Sequence, residues 1–169
     1  MLSEAEVIER AAQPYVAIKS QVTMQTLGMV LPELAPRVFG WLGERGISPA
    51  GAPFWKYNVV DMDRGLEVEA GVPVAAAVDG DDLVQAGVLA PGRYATIRYT
   101  GHPDGLLGAT ASLLKWAEEH NLTWDVGQAP NGERVPTKPV ANWSMLVLPI
   151  RMAPAFCRRR TTVALAEGV

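Results

Sequence analysis

The sequence predicts an α+β protein in which one β-α-β-β module occurs twice, with antiparallel strands, two long helices and a central cleft on a pseudo-twofold axis. Two internal matches carry this expectation. Tyr15-Val16-Ala17-Ile18-Lys19 recurs as Tyr94-Ala95-Thr96-Ile97-Arg98, and Trp41-Leu42-Gly43-Glu44-Arg45-Gly46-Ile47 recurs as Trp116-Ala117-Glu118-Glu119-His120-Asn121-Leu122. The offsets are 94 − 15 = 79 and 116 − 41 = 75, which reads as a duplication with one connection shortened by four. A third observation joins them: Gly46 and Asn121 both stand where a helix end needs a left-handed residue. The seam between two such copies is a natural place for a ligand.

The elements follow in order. Residues 1–13 read as a short amphipathic lead-in closed by Gln13-Pro14. Tyr15 to Val22 alternates as a strand through Val16, Ile18 and Val22. Residues 23–31 read as a connection, and a helix runs from Pro32 or Pro36 to Arg45, because proline is tolerated in a first turn. Leu34, Val38, Trp41 and Leu42 form its apolar stripe. Phe54 to Asp61 and Leu66 to Val74 make a hairpin around Met62-Asp63-Arg64-Gly65, with Leu66, Val68, Ala70 and Val72 on one face and Glu67 and Glu69 on the other. Asp79-Gly80-Asp81-Asp82 is a turn signal, and Leu83 to Leu89 a short edge strand. The second copy runs through a strand at Arg93–Thr100 and a helix at Asp104–His120. Strands at Glu133–Thr137 and Trp143–Ile150 complete it. Residues 151–169 lose the pattern and read as a partly disordered tail carrying Arg158-Arg159-Arg160. The domain is thus 14–150, with repeats at about 14–75 and 92–150.

Composition narrows the function classes. A chain of 169 residues buries a core without staples. The net charge of −3 gives no electrostatic footprint for nucleic acid. No apolar run has the length of a membrane span, and the acidic start lacks the regions of a signal peptide. Cys157 is the single cysteine, so no internal disulfide forms, and a cytoplasmic protein follows. No histidine or cysteine pair has metal-ligand spacing, so neither a metal nor a cofactor is expected. His102 and His120 read as residues at helix ends. No Gly-x-Ser-x-Gly, phosphate loop or dinucleotide fingerprint is present.

Four stretches carry a resemblance: Val68-Glu69-Ala70-Gly71-Val72-Pro73-Val74, Leu89-Ala90-Pro91-Gly92-Arg93-Tyr94-Ala95, Tyr99-Thr100-Gly101-His102-Pro103-Asp104-Gly105-Leu106, and the Trp116 helix end. In this order they resemble the GyrI-like family of small-molecule-binding domains, which also forms the effector-binding half of some AraC-type and MerR-type regulators. The resemblance covers roughly residues 14 to 150 and implies a duplicated β-α-β-β fold. It also implies a cleft glutamate in the pattern Glu-x-Tyr-x-x-Asp-Pro. Here that stretch is Glu133-Arg134-Val135-Pro136-Thr137-Lys138-Pro139, which keeps the glutamate and the final proline but replaces Tyr by Val135 and Asp by Lys138. A Trp-x-Thr-Glu continuation survives only as Trp143.

Glu133 is therefore the expected ligand-binding carboxylate. On a strand between two apolar half-domains it would be partly desolvated, and it could neutralise a cation or, if protonated, act as a general acid. Trp55 and Tyr57, two apart on one strand face, and Trp143 are the expected aromatic walls, because aromatic faces attract cations. The leading expectation is a stand-alone module capturing small hydrophobic or cationic molecules, as monomer or homodimer. With about fourteen residues ahead of the fold, no helix-turn-helix is expected. The alternative is a hydrolase of strained cyclopropane-containing electrophiles, similar to some GyrI-like proteins, with Glu133 as acid/base. A protein-interaction role such as gyrase binding ranks below both.

Overall fold

The computed structural model describes residues 2–61, 65–101, 105–122, 127–128, 134–135, 148–150 and 159–166. The strands are β1 (Glu6–Arg10), β2 (Gln13–Val22), β3 (Phe54–Asp61), β4 (Gly65–Pro73), β5 (Gln85–Leu89), β6 (Gly92–Gly101), β7 (Gly127–Gln128), β8 (Arg134–Val135), β9 (Leu148–Ile150) and β10 (Arg159–Ala166). The helices are α1 (Leu27–Glu44) and α2 (Leu106–Glu119). One antiparallel sheet runs β3-β4-β2-β5, the other β9-β10-β6-β1, and β7 pairs with β8 as a separate ribbon. The protein is α+β, as expected. Among the described residues, no helix is long and apolar enough to cross a membrane.

The element boundaries follow the sequence offsets. β2 and β6 each span ten residues, at 92 − 13 = 79 and 101 − 22 = 79. The helices start at 106 − 27 = 79 and end at 119 − 44 = 75, so the four missing residues leave α2 about one turn shorter than α1 rather than shortening a connection. Both helices end alike. The Ile47 N–H donates to Leu42 O and Gly46 N–H to Gly43 O; Leu122 N–H donates to Ala117 O and Asn121 N–H to Glu118 O. This double closure needs a left-handed residue, and Gly46 (φ 65°) and Asn121 (φ 55°) supply it.

α1 packs on β2 and β4, α2 on β6 and β10. The apolar stripe Leu31, Leu34, Val38, Trp41 and Leu42 meets Val16, Ile18, Val68 and Val72 in the larger core. Ala95, Ile97 and Leu113 form the core beneath α2. The loop after β4 is pinned to α1 by Asp81. Trp41 Nε1 donates to its carboxylate at 2.6 Å and Arg45 at 2.8 Å, while the Leu83 and Val84 amides donate from within the loop. The bond from Trp41, then those from Val84 and Leu83, hold the Asp81 carboxyl at about 2.

Four segments differ from expectation. Residues 6–10 of the lead-in form β1, paired with β6 from Glu6↔Thr96 to Arg10↔Gly92. α1 begins before both prolines, because Thr23 and Thr26 close its entry reciprocally. The Thr23 amide donates to Thr26 Oγ1 at 2.9 Å and the Thr26 amide to Thr23 Oγ1 at 3.3 Å. Pro32 and Pro36 then sit inside the helix on its exposed side, where carbonyls that lose a helical donor can turn to water. In the second half the strands after α2 that join the sheet of β6 are β9 and β10; Arg134–Val135 lies in the ribbon instead. Finally, residues 159–166 of the expected tail form β10. It is an interior strand with eight register pairs to β6, from Arg159↔Gly101 to Ala166↔Tyr94. The arginines at its start mask an alternation of Thr161, Val163 and Leu165, a good strand pattern. The rest of 151–169 lies outside the described residues.

Deleting residues 152–169 is expected to be costly. It strips β6 of the whole β10 ladder, at about 0.5–1.5 kcal/mol net per lost hydrogen bond. The thermal midpoint should fall by roughly 10 °C or more, since about 1 kcal/mol moves a domain of this size by about 2–4 °C. Circular dichroism melts of the truncated and full chains check this.

Candidate functional site

The strands that carry the core on one face carry polar and aromatic residues on the other. On β2, Val16, Ile18 and Val22 lie under α1, so Tyr15, Ala17, Lys19 and Gln21 point the opposite way. On β4, Leu66, Val68, Ala70 and Val72 lie under the helix, and Glu67, Glu69 and Gly71 oppose them. On β6, Ala95 and Ile97 lie under α2, and Tyr94 and Thr96 turn away. The two outward faces meet. Tyr15, Ala17, Phe54 and Leu89 of one sheet form one buried cluster with Tyr94 of the other, and Ile8 of β1 packs on it. This seam is the candidate site.

The register of β3 decides what else faces the seam. Near the turn, Asp61 pairs with Gly65 and Val59 with Glu67; beyond an irregularity between Tyr57 and Val59, Tyr57 pairs with Val68 and Lys56 with Glu69. One extra residue, Asn58, has entered β3. Directly opposed residues share a face, so the shift exchanges the two faces of the strand. Lys56 and Phe54 thus join the Glu69 side. Trp55 and Tyr57 do share a face, as their spacing requires, but it is the face under α1. Tyr57 is buried in the main core, Trp55 packs against it, and burial pushes the Tyr57 phenol up to about 12. Strict alternation counted back from the turn would have put both beside the glutamates.

On the seam face a polar network surrounds Glu69. Tyr15 Oη donates to Glu69 Oε2 at 2.6 Å and Asn58 Nδ2 to Glu69 Oε1 at 2.7 Å. Lys56 Nζ lies 3.7 Å from Glu69 Oε2 and donates to Tyr15 Oη at 3.3 Å. Lys19 reaches Glu67 at 3.2 Å and Glu69 at 3.9 Å, and Gln21 and Asn58 also donate to Glu67. Exposure is graded along this network: the side chain of Lys56 is 3% exposed, that of Glu69 12% and that of Lys19 40%. Burial, then the charge of Glu69 and its hydrogen bond, push the Tyr15 phenol far above its ordinary range. Burial lowers the Lys56 ammonium, against the opposing pull of Glu69. Two lysines and two glutamates leave this network formally neutral.

Bare backbone seats the two rings. Tyr15 and Phe54 meet edge to face, centroids 5.1 Å apart and planes at 76°. Phe54 lies over Gly71, where a Cβ would clash with Cζ and both Cε atoms of the ring, and Tyr15 lies over Gly87, where a Cβ would stand 2.6 Å from Cζ. The sequence reading missed Tyr15, Phe54, Lys56 and Glu69 as a group. The signals were the glycines opposite the aromatics and the lysine in the hairpin. Glu133 and Trp143 lie outside the described residues, as do His102 and Cys157. Among the described residues no cluster of metal-binding side chains occurs.

Comparison places this fold among known ones. The family model for the GyrI-like small molecule binding domain matches residues 3–145. No curated protein matches the sequence. EcmrR, solved as an EcmrR-DNA complex in EcmrR-RPo, is similar in fold with a TM-score of 0.72 at 13% identity; 97% of this chain is covered, but the chain spans only 57% of EcmrR. SAV2435, solved bound to tetraphenylphosphonium, has a TM-score of 0.62 at 11% identity, covering 98% of this chain and 94% of that one. A hydrolase from Listeria innocua has a TM-score of 0.64 at 10% identity, covering 98% and 92%.

The glycine seats make a stability prediction. Gly87→Ala forces the Tyr15 ring off its platform and should cost about 1–3 kcal/mol, as overpacking does. At about 2–4 °C per kcal/mol, the melting midpoint should drop by roughly 2–12 °C. Gly108→Ala is the control: a Cβ there, in the first turn of α2, meets nothing within 4 Å, so stability should hold or rise. Thermal melts of the two variants beside the parent check both.

Proposed function

We propose a ligand class for this chain, which belongs to the GyrI-like small molecule binding domain family: a lipophilic organic cation held in the seam between the two sheets. The observation that carries the reading is the aromatic cluster shared by both sheets, with Tyr15 and Phe54 facing Tyr94. Aromatic faces attract cations by about 0.5–2 kcal/mol each. The Glu69 network is formally neutral in itself, and Glu133 is the residue we assign to supply net negative charge to the ligand. Trp143 is assigned as a further wall. Trp55 and Tyr57 support the site from behind β3 rather than touching the ligand. The tetraphenylphosphonium held by SAV2435 is a cation of the proposed class, and it supports the reading by analogy of fold.

The similarity to a protein described as a hydrolase favours a second reading. In it Glu133 serves as acid/base for addition of water to a strained cyclopropane-containing electrophile. Product analysis after incubation with such a compound separates the two: a binder returns it unchanged.

Glu133→Gln tests the leading reading because it keeps the shape and removes the charge. A charge contact of this kind is worth about 1.5–3 kcal/mol. Calorimetric titration should give tetraphenylphosphonium an affinity roughly tenfold to a hundredfold weaker in the variant, with 1.4 kcal/mol per factor of ten. Neutral triphenylphosphine oxide should lose much less. Equal binding of both ligands by variant and parent would leave Glu133 an ordinary surface charge.

A further inference from the structure

We infer that the Glu69 carboxylate is a second cation-binding position in the seam, held in this structure by the Lys56 ammonium, which a ligand's positive centre must displace. The inference rests on the reading of the seam as a cation site. It is carried by where Lys56 sits. A lysine is seldom buried, and this one is 2% exposed, on the face turned away from α1. Its ammonium lies 3.7 Å from Glu69 and 5.9 Å from the centroid of the Tyr15 ring. That is the ground an organic cation would take: within reach of a carboxylate and over an aromatic face. Lys19 approaches the carboxylate from its other oxygen, Oε1. A cation over the Tyr15 ring on the Oε2 side would meet the Lys56 ammonium itself, and like charges a few ångströms apart repel strongly where water is scarce. Lys56 therefore acts as an internal competitor, and it sets which cations enter.

The rest of the network shows that Glu69 does not need Lys56 to keep its place. Tyr15 and Asn58 donate to it at 2.6 and 2.7 Å, and Lys19 stands 3.9 Å away. Those partners hold the carboxylate against the Tyr15 ring when Lys56 moves. The lysine has the means to move: four methylenes, and an ammonium held by one hydroxyl at 3.3 Å and one carboxylate at ion-pair range among the described residues. Its register position opposite Glu69 follows from the Asn58 irregularity, so the competitor is built into the strand pairing.

The test is calorimetric titration of tetraphenylphosphonium and of neutral triphenylphosphine oxide into the parent, Lys56→Met, Lys56→Met/Glu69→Gln and Glu133→Gln. Lys56→Met should bind the phosphonium about tenfold more tightly or better, which corresponds to 1.4 kcal/mol or more. The neutral compound should change by less than about threefold, under roughly 0.7 kcal/mol. The gain should vanish in the double variant. Lys56→Gln, which keeps a polar end without the charge, gives the same comparison if Lys56→Met fails to fold by near-ultraviolet circular dichroism. A folded Lys56 variant with unchanged phosphonium affinity overturns the inference, as does a gain that survives Glu69→Gln or extends equally to the neutral compound. Loss of phosphonium binding in Glu133→Gln alongside such a result leaves the seam reading standing without this inference. No phosphonium binding by the parent or any Lys56 variant overturns both.

Discussion

One residue, Asn58, determines which chemistry the seam receives. By entering β3 as an irregularity between Tyr57 and Val59, it reverses the faces of the strand. Lys56 then opposes Glu69, and Phe54 opposes Gly71, while Trp55 and Tyr57 are committed to the core under α1. The same residue donates to Glu67 and Glu69, so it also fastens the carboxylates that the reversal brings to Lys56. A buried charge left without a partner costs about 3–5 kcal/mol, so the pairing of Lys56 depends on this register being kept.

The seam exists because the sheets exchange their leading strands. β1 and β2 are separated by two residues, yet β1 joins the sheet of β6 and β2 the other sheet. β5 and β6 repeat the arrangement in the opposite sense: β5 lies on β2. Two short crossings thus tie the sheets together at one side, and β3 and β9, their far edge strands, run close at the other. β9 carries Pro149, a residue suited to an edge because it cannot donate to a ladder. The outward faces have little choice but to meet, and Tyr15 and Tyr94, seventy-nine positions apart in matching strands, sit in a cluster common to both.

Much of this architecture was legible in the residues. The matching strands, the hairpin, the faces of β4 and both left-handed helix ends follow from period, turn chemistry and the rarity of the left-handed conformation. What stayed hidden has separate causes. The start of α1 was obscured by Pro32 and Pro36, because proline signals a first turn, whereas two threonines further back close this one. β1 is too short for five residues to distinguish strand from lead-in. β10 opens within an arginine run that hides its alternation, and its stability comes from its pairing with β6, far earlier in the chain. The site was hardest. Alternation correctly put Trp55 and Tyr57 on one face, but an irregularity in pairing carries no period, so the sequence pattern could not say which face. Glu133 and Trp143 rest on motif resemblance, and the described residues do not include them.

The most direct test of the central claim, that the seam between the sheets is the ligand site, is a crystal structure of the protein soaked with tetraphenylphosphonium. The account predicts the phosphonium between the sheets, with phenyl groups against Tyr15, Phe54 and Tyr94. A phosphonium seated under α1 beside Trp55 and Tyr57, or outside the seam altogether, would contradict it.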